Sequence, residues 1–207
     1  MEIVRPFPNE IFIFTPPDPE GLCEQVSQTL LEESQNKPGL KRSNEGAWHS
    51  LPDLALREAA PFPTLFSFIT GHIHFCTSTI AEAQQQVLLP HRWSAHAWGI
   101  VMNQGDYSTQ HHHADAHWSA VWYADAGDES PPEHPDAGCI SFSDPRGAIT
   151  PFPAMNLRPS LLNVRPKTGM LIVFPGFMSH TVYPYLGTRP RISVASNFRM
   201  ELTIPTK

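Results

Sequence analysis

From Ser94 onward the chain is cut into short apolar runs, and this cutting most limits what it can fold into. "SAHAWGIVMN", "HWSAVWYA", "GCISF", "LLNVR", "GMLIVFP" and "RISVASNF" are rich in β-branched and aromatic residues, with Gly, Pro, Asp or Asn between them. Such runs are too short for a helix bundle and match strands bounded by turns. The 22 prolines and 12 glycines fall mostly as punctuation, as in "TPPDPEG", "SPPEHPDAG" and "YPYLGTRP". The expectation is a sheet or barrel of about eight strands, so the fold class is mainly β (α+β).

Residues 1–92 read differently. "EIFIFT" (Glu10 to Thr15) has the composition of a strand. In "DPEGLCEQVSQTLLEESQN", Asp18 is placed as an N-cap, and Leu22, Val26, Leu30 and Leu31 recur at helical spacing. Lys37 to Asp53 has turn residues and no period, so it reads as a loop, although Trp48 must pack somewhere. A second helical region spans roughly Pro63 to Leu89. With 207 residues, no internal repeat and no second-domain boundary, one domain is expected, 1–92 supporting a core of 93–207. Gly127 to Ala137, acidic and proline-rich, is expected to be a long loop between two strands.

A formal charge of −6 without any Lys/Arg-rich stretch leaves no electrostatic footprint for nucleic acid or an anionic membrane. No window approaches the roughly 18 apolar residues of a membrane span, and the first residues lack the pattern of a signal segment. The expectation is a soluble, cytoplasmic protein whose partner is a small molecule or another protein, with oligomeric state open and a homodimer allowed. Cys23, Cys76 and Cys139 are odd in number and scattered, which suits buried reduced thiols.

The chemistry concentrates in "QHHHADAHWSAVWYA", Gln110 to Ala124. On a strand, successive side chains point to opposite faces, so His111, His113 and Asp115 share one face and His112 takes the other. One His–x–His pair is ordinary for a polar loop; a third ligand elsewhere would change its meaning. His180, after the apolar strand and short loop of "GMLIVFPGFMSH", is that candidate. Neutral imidazole suits Fe, Zn, Cu and Ni, and three protein ligands with open positions suit a catalytic centre better than a closed structural one.

Eleven residues beyond His180, Arg191 opens "RISVASNF". Alternation puts Arg191, Ser193, Ala195 and Asn197 on one face, with Ile192, Val194 and Phe198 on the other. An arginine among small polar side chains on an inward face needs an anion, and its fork matches a carboxylate. Arg189 shares that parity and is the alternative. Trp98, Trp118, Trp122, Tyr123 and Phe174 are candidates for a pocket wall or for the core.

Taken in order, these residues resemble the 2-oxoglutarate/Fe(II)-dependent dioxygenase superfamily, most closely an uncharacterised bacterial branch with an H-x-H…H motif. The resemblance rests on Trp98, "GDY" (Gly105 to Tyr107), His111 and His113, "WSAVWY" (Trp118 to Tyr123), "DPR" (Asp144 to Arg146), "FPGFMSHTVYP" (Phe174 to Pro184) and "RPRIS" (Arg189 to Ser193). It covers the C-terminal half strongly and the upstream part loosely. It implies a double-stranded β-helix (jelly roll), with the N-terminal helices packed on one sheet. It also implies Fe(II) held by His111, His113 and His180, with 2-oxoglutarate as cosubstrate and O2 as co-reactant. Arg191 with Ser193, or Arg189, would anchor the cosubstrate's far carboxylate, and Tyr123 would assist as a hydrogen-bonding group. The broader superfamily has a carboxylate where this chain has His113. Three neutral imidazoles leave Fe(II) its full double charge, which favours dianionic ligands and raises the reduction potential. A shifted register, His113–x–Asp115, would restore the carboxylate.

The resemblance implies an oxidoreductase that hydroxylates or demethylates an unidentified substrate. Two other classes fit the same histidines: a cupin-type three-histidine metalloenzyme that does not use 2-oxoglutarate, and a metal-binding jelly roll without catalysis. Arg191 discriminates between the 2-oxoglutarate enzyme and the cupin-type one.

Overall fold

The computed structural model describes residues 9–18, 21–144, 146 and 159–203. The first eight residues, and Pro145 of the Asp144–Arg146 motif, lie outside that set.

The twelve-residue strand β11 (Arg191–Leu202) is flanked by β4 (His91–Met102) and β6 (Trp118–Asp125), both antiparallel to it. β9 (Leu171–Pro175), β1 (Phe12–Phe14) and β3 (Trp48–His49) complete a six-stranded sheet in the order β1-β9-β6-β11-β4-β3. The second sheet has five strands: β2 (Asn44–Glu45), β5 (Tyr107–His111), β10 (His180–Val182), β7 (Ile140–Ser143) and β8 (Leu161–Val164), in the order β2-β5-β10-β7-β8. This is a jelly roll, and β4 to β11 supply the expected eight strands.

Alternation decides which residues see which layer. Trp118, Ala120, Trp122, Ala124, Ile192, Val194 and Phe198 join the core beneath the helices. Val121, Tyr123, Ile172 and Phe174 instead pack with Ile140, Phe142 and Val164 between the sheets. Trp118 and Trp122 therefore belong to the helix-facing core, whereas Trp98, Tyr123 and Phe174 face the pocket described below.

The helices α1 (Leu22–Asn36) and α2 (Phe62–Ala83) cover the outer face of the six-stranded sheet. Leu22, Val26 and Leu30 are buried there as their spacing predicts, each contributing roughly 1.5–3 kcal/mol. Gly99 of β4 lets α1 come close: a Cβ at that position would lie 2.6 Å from Leu30 Cδ2. Trp118 Nε1 donates to Thr77 Oγ1 of α2 at 2.9 Å, tying helix to sheet.

Three local expectations change. Asp18 is not the N-cap; Gly21 takes that position in the left-handed region, and the Asp18 carboxylate instead accepts from the Cys23 N–H at 3.1 Å. The second helix stops at Ala83, followed by Gln85 at φ 55°, so it does not reach Leu89. The segment 37–53 is not all loop: β2 and β3 add to the two sheets, and Trp48 packs against the core while its Nε1 donates to Lys37 O. Gly127 to Ala137 does connect two strands, β6 and β7, and the three cysteines are buried free thiols.

Candidate metal centre

His111 ends β5, and His180 begins β10 directly opposite it. His113 lies two residues past His111, where its N–H donates to Gly176 O at 2.7 Å, in the turn after β9. That contact requires a glycine, because a Cβ at Gly176 would lie 2.6 Å from His113 O and 2.3 Å from Ala116 O. One ring nitrogen from each of the three histidines falls in a group whose members all lie within 4.8 Å of one another. That span is of the order of two metal–nitrogen bonds of ~2.1 Å.

The backbone selects the tautomer for two of the three. His111 Nδ1 lies 2.7 Å from Thr109 O, and His180 Nδ1 lies 2.9 Å from Met178 O. A carbonyl only accepts, so each Nδ1 carries the proton and each Nε2 presents its lone pair, that of His111 with Ser43 Oγ 3.3 Å away. Burial, then the neighbouring His111, pushes the His113 imidazole down to about 4; the same causes push His180 down to about 3. His111 is also lowered by burial. All three are neutral at pH 7, the state that binds metal. Phe142 and Phe174 flank the His180 ring, at centroid distances of 6.0 and 4.9 Å.

The histidines open into a pocket of about 60 Å3 between the sheets that also contains Arg191, Ser193, Tyr123, Trp98 and Phe174. Arg191 is 3 % exposed and has no carboxylate partner among the described residues. It donates to Gly138 O and to Met102 Sδ, and lies over the rings of Tyr123 and Tyr185 at 5.7 and 5.8 Å. Its Nε has no hydrogen-bond partner among the described residues. A guanidinium buried in this way is costly as a cation, and its fork is shaped to receive a carboxylate. Burial holds the Tyr123 phenol up at about 12, which keeps its hydroxyl a donor.

Arg189 is engaged elsewhere. Its Nε donates to Asp128 Oδ1 at 2.8 Å, Nη1 reaches Asp125 Oδ2 at 3.3 Å and Nη2 donates to Gly127 O. Asp115 is exposed and lies outside the histidine group, so the His113–x–Asp115 register does not form.

The segment read as a loop contributes pocket residues that sequence reasoning missed. Ser43, Asn44 and His49 line the same cavity, with Ser43 Oγ 3.3 Å from His111 Nε2. Strands of two residues have no detectable period, so only the pairing of an aromatic with a histidine in "GAWHS" hinted at them.

Fold and site together bring three histidines into a group that could hold one metal ion, inside an antiparallel jelly roll. Residues 96–197 match the family model described as "Putative 2OG-Fe(II) oxygenase". No curated protein matches the chain. Solved structures do. A Pseudomonas putida prolyl-4-hydroxylase superposes with a TM-score of 0.63 at 17% identity, covering 92% of each chain. A Trichoplax adhaerens prolyl hydroxylase, in complex with a hypoxia inducible factor peptide fragment, gives 0.59 at 11% identity, over 91% of this chain and 82% of that one. HygX from Streptomyces hygroscopicus, with nickel, 2-oxoglutarate and hygromycin B bound, gives 0.55 at 13% identity over 96% and 85%. At such identities these likenesses speak for the fold. Among the described residues no helix is long and apolar enough to cross a membrane.

Proposed function

We propose that this oxygenase uses Fe(II) held by His111, His113 and His180, and 2-oxoglutarate anchored at its far carboxylate by Arg191 with Ser193 and Tyr123, to hydroxylate or demethylate a second substrate. The observation that carries the reading is Arg191: a buried guanidinium with an orphaned Nε, in the same pocket as the three imidazoles. A three-histidine enzyme without 2-oxoglutarate would need a different anionic substrate to match that charge, and a metal-binding domain without catalysis has no use for it.

The donor set fits the metal, since all three imidazoles are neutral and two have Nε2 aimed by backbone carbonyls. When bound, Fe(II) and 2-oxoglutarate together supply the oxidative chemistry, in which O2 is consumed, 2-oxoglutarate is converted to succinate and CO2, and one oxygen atom goes to the second substrate. The chain's own work is orientation and exclusion. Arg191 and the Tyr123 hydroxyl provide charge-assisted donors for a carboxylate. Phe142, Phe174 and Val121 keep the wall behind His180 apolar, which strengthens each polar contact within.

Anaerobic addition of 2-oxoglutarate to the Fe(II) protein tests the proposal. A weak visible chelate band that saturates at one equivalent, and succinate release on admitting O2, are expected. Oxygen consumption with some other substrate, and no response to 2-oxoglutarate, would favour the cupin-type enzyme; a thermal shift with metal but no turnover would favour the binding domain.

A further inference from the structure

Arg191 stands between two spaces. On one side is the metal pocket; on the other is a cleft of about 240 Å3, which the exposed Glu129, Arg165 and Lys167 open to water. Among the described residues Arg191 alone lines both. Its contacts divide the same way. Met102, whose Sδ accepts from Nη2, and Tyr123 line the metal pocket, whereas Gly138, whose carbonyl accepts from Nη1, and Tyr185 line the cleft. Yet Arg191 is buried, so the water of the cleft is kept from it.

Tyr185 is placed to do this. It lies between β10 and β11, is 3 % exposed, and has its ring centroid 5.8 Å from Arg191 Cζ. Its N–H donates to Asp106 O at 2.9 Å and its carbonyl accepts from the Gly105 N–H at 2.6 Å, which pins its backbone to the turn between β4 and β5. At the far end, its hydroxyl accepts from the Asp128 N–H at 2.8 Å and donates to Arg189 O at 2.6 Å. The ring packs with Met102 and Ala47. A Cβ at Gly127 or Gly187 would overlap the Tyr185 hydroxyl, so this close fit needs glycine at both positions. Neither the metal ligands nor the carboxylate donors named above include Tyr185.

We propose, on the oxygenase reading above, that Tyr185 is a positioning residue for the cosubstrate: its ring seals Arg191 from the outer cleft, so that a carboxylate in the metal pocket meets a guanidinium free of competing water and ions. A charge-assisted contact is strong only where water is excluded. An aromatic ring suits the place better than an aliphatic side chain, because it excludes water while turning the negative part of its quadrupole to the cation. Without the ring, the guanidinium would be hydrated from the cleft, and a dissolved anion could reach it from behind and compete with the carboxylate.

Anaerobic titration of the Fe(II) protein with 2-oxoglutarate, read by the visible chelate band, tests the seal at ~0.05 and ~0.5 M NaCl, which bracket physiological screening. At the lower salt, Tyr185→Leu should raise the cosubstrate concentration required at least fivefold. Going to the higher salt should raise it at least threefold more than it does in the parent. Tyr185→Phe, which keeps the ring, should stay within twofold of the parent at both salts. Co(II) affinity should be the same in all three proteins. A Leu variant that responds like the parent, loses the same factor at both salts or loses Co(II) as well would overturn the seal, as would a Phe variant as damaged as the Leu one. If Tyr185→Leu does not fold, the parent decides. In its diamagnetic Zn(II) form the Arg191 guanidinium protons, assigned by their loss in Arg191→Lys, should exchange with water at least tenfold more slowly than those of the exposed Arg42; equal rates would also overturn the seal. Failure of the chelate band to form in the parent would instead overturn the oxygenase reading.

Discussion

His180 faces His111 directly across the antiparallel pair of β10 and β5, with ring centroids 4.3 Å apart. Cross-strand neighbours at such a position hold their Cβ atoms ~5 Å apart, so sheet register alone sets the distance between two candidate ligands nearly seventy residues apart in sequence. His180 is also paired to Phe142 on its other side, which makes β10 an interior strand that cannot slide.

Replacing His180 by Ala should therefore abolish stoichiometric Fe(II) binding. The strand pairing is made by the backbone and survives the change, so the variant should keep its β-sheet circular dichroism. Isothermal titration with Fe(II), or with Co(II) as a spectroscopic substitute, reads the result. Tight one-to-one binding retained by the variant removes His180 from the site.

Arg191→Ala should raise the 2-oxoglutarate concentration required for the chelate band and for decarboxylation by a factor of ten or more, as loss of a charge-assisted contact of ~1.5–3 kcal/mol implies. Arg189→Ala should leave that requirement alone. Its effect belongs to the 127–137 loop, where the Asp128 carboxylate accepts from the Thr188 and Arg189 backbone and from both their side chains. Faster amide hydrogen exchange across 127–137 in Arg189→Ala is the expected result. A reversal of the two phenotypes would make Arg189 the anchor.

The pH dependence of metal binding has a definite sign. A proton competes with the ion only where the free imidazole holds one, and the free values here are about 4 for His113 and about 3 for His180, below the ordinary 6.5. Proton competition at His113 and His180 should therefore begin only below pH 5, and His111, also lowered by burial, should add its own competition below 6.5, so affinity falls most steeply under pH 5. The same shifts act on the metal-free fold. An unfolded chain protonates these histidines near 6.5 and the folded one does not, so stability is full above that value and declines as pH drops toward 4, by up to ~1.4 kcal/mol per pH unit for the buried His180. Metal titrations and melting curves at half-unit steps check both; a loss of affinity steeper than tenfold per unit already at pH 6, as three ordinary imidazoles would give, contradicts the first.

What was legible in the sequence is what periodicity carries. The two-residue alternation of "RISVASNF" sorts Arg191, Ser193, Ala195 and Asn197 into the pocket and Ile192, Val194 and Phe198 beneath the helices, as the structure has it. The spacing of the histidines, and their likeness to a family motif, picked the three that converge. Parity alone could not separate Arg189 from Arg191, because the strand begins at Arg191 and the residue before the intervening proline is free to turn outward to Asp128. Nor could it find His49, whose strand is two residues long and is made by pairing with β4 rather than by any local preference. Trp118 and Trp122 were open between wall and core for a related reason: aromatic residues suit both faces of a strand, and only the position of the helices decides.

Gly176 offers a test of the same architecture without touching a ligand. It sits in "FPGFMSH", four residues before His180, and its carbonyl holds the His113 N–H. Its φ lies outside the left-handed region, so the constraint is space rather than backbone conformation. Gly176→Ala would place a methyl group 2.3 Å from Ala116 O and 2.6 Å from His113 O, both backbone atoms that cannot swing aside as a side-chain end can. The 112–117 turn must shift outward, carrying His113 away from His111 and His180. Overpacking of this kind typically costs 1–3 kcal/mol, so the variant should fold with a lower melting temperature and bind Fe(II) at least tenfold more weakly. The comparison variant is Gly105→Ala, where a Cβ meets nothing within 4 Å but φ is 91°; it should lose stability with little change in metal affinity. Equal effects of the two substitutions on metal binding would show that the Gly176 contact does not position His113.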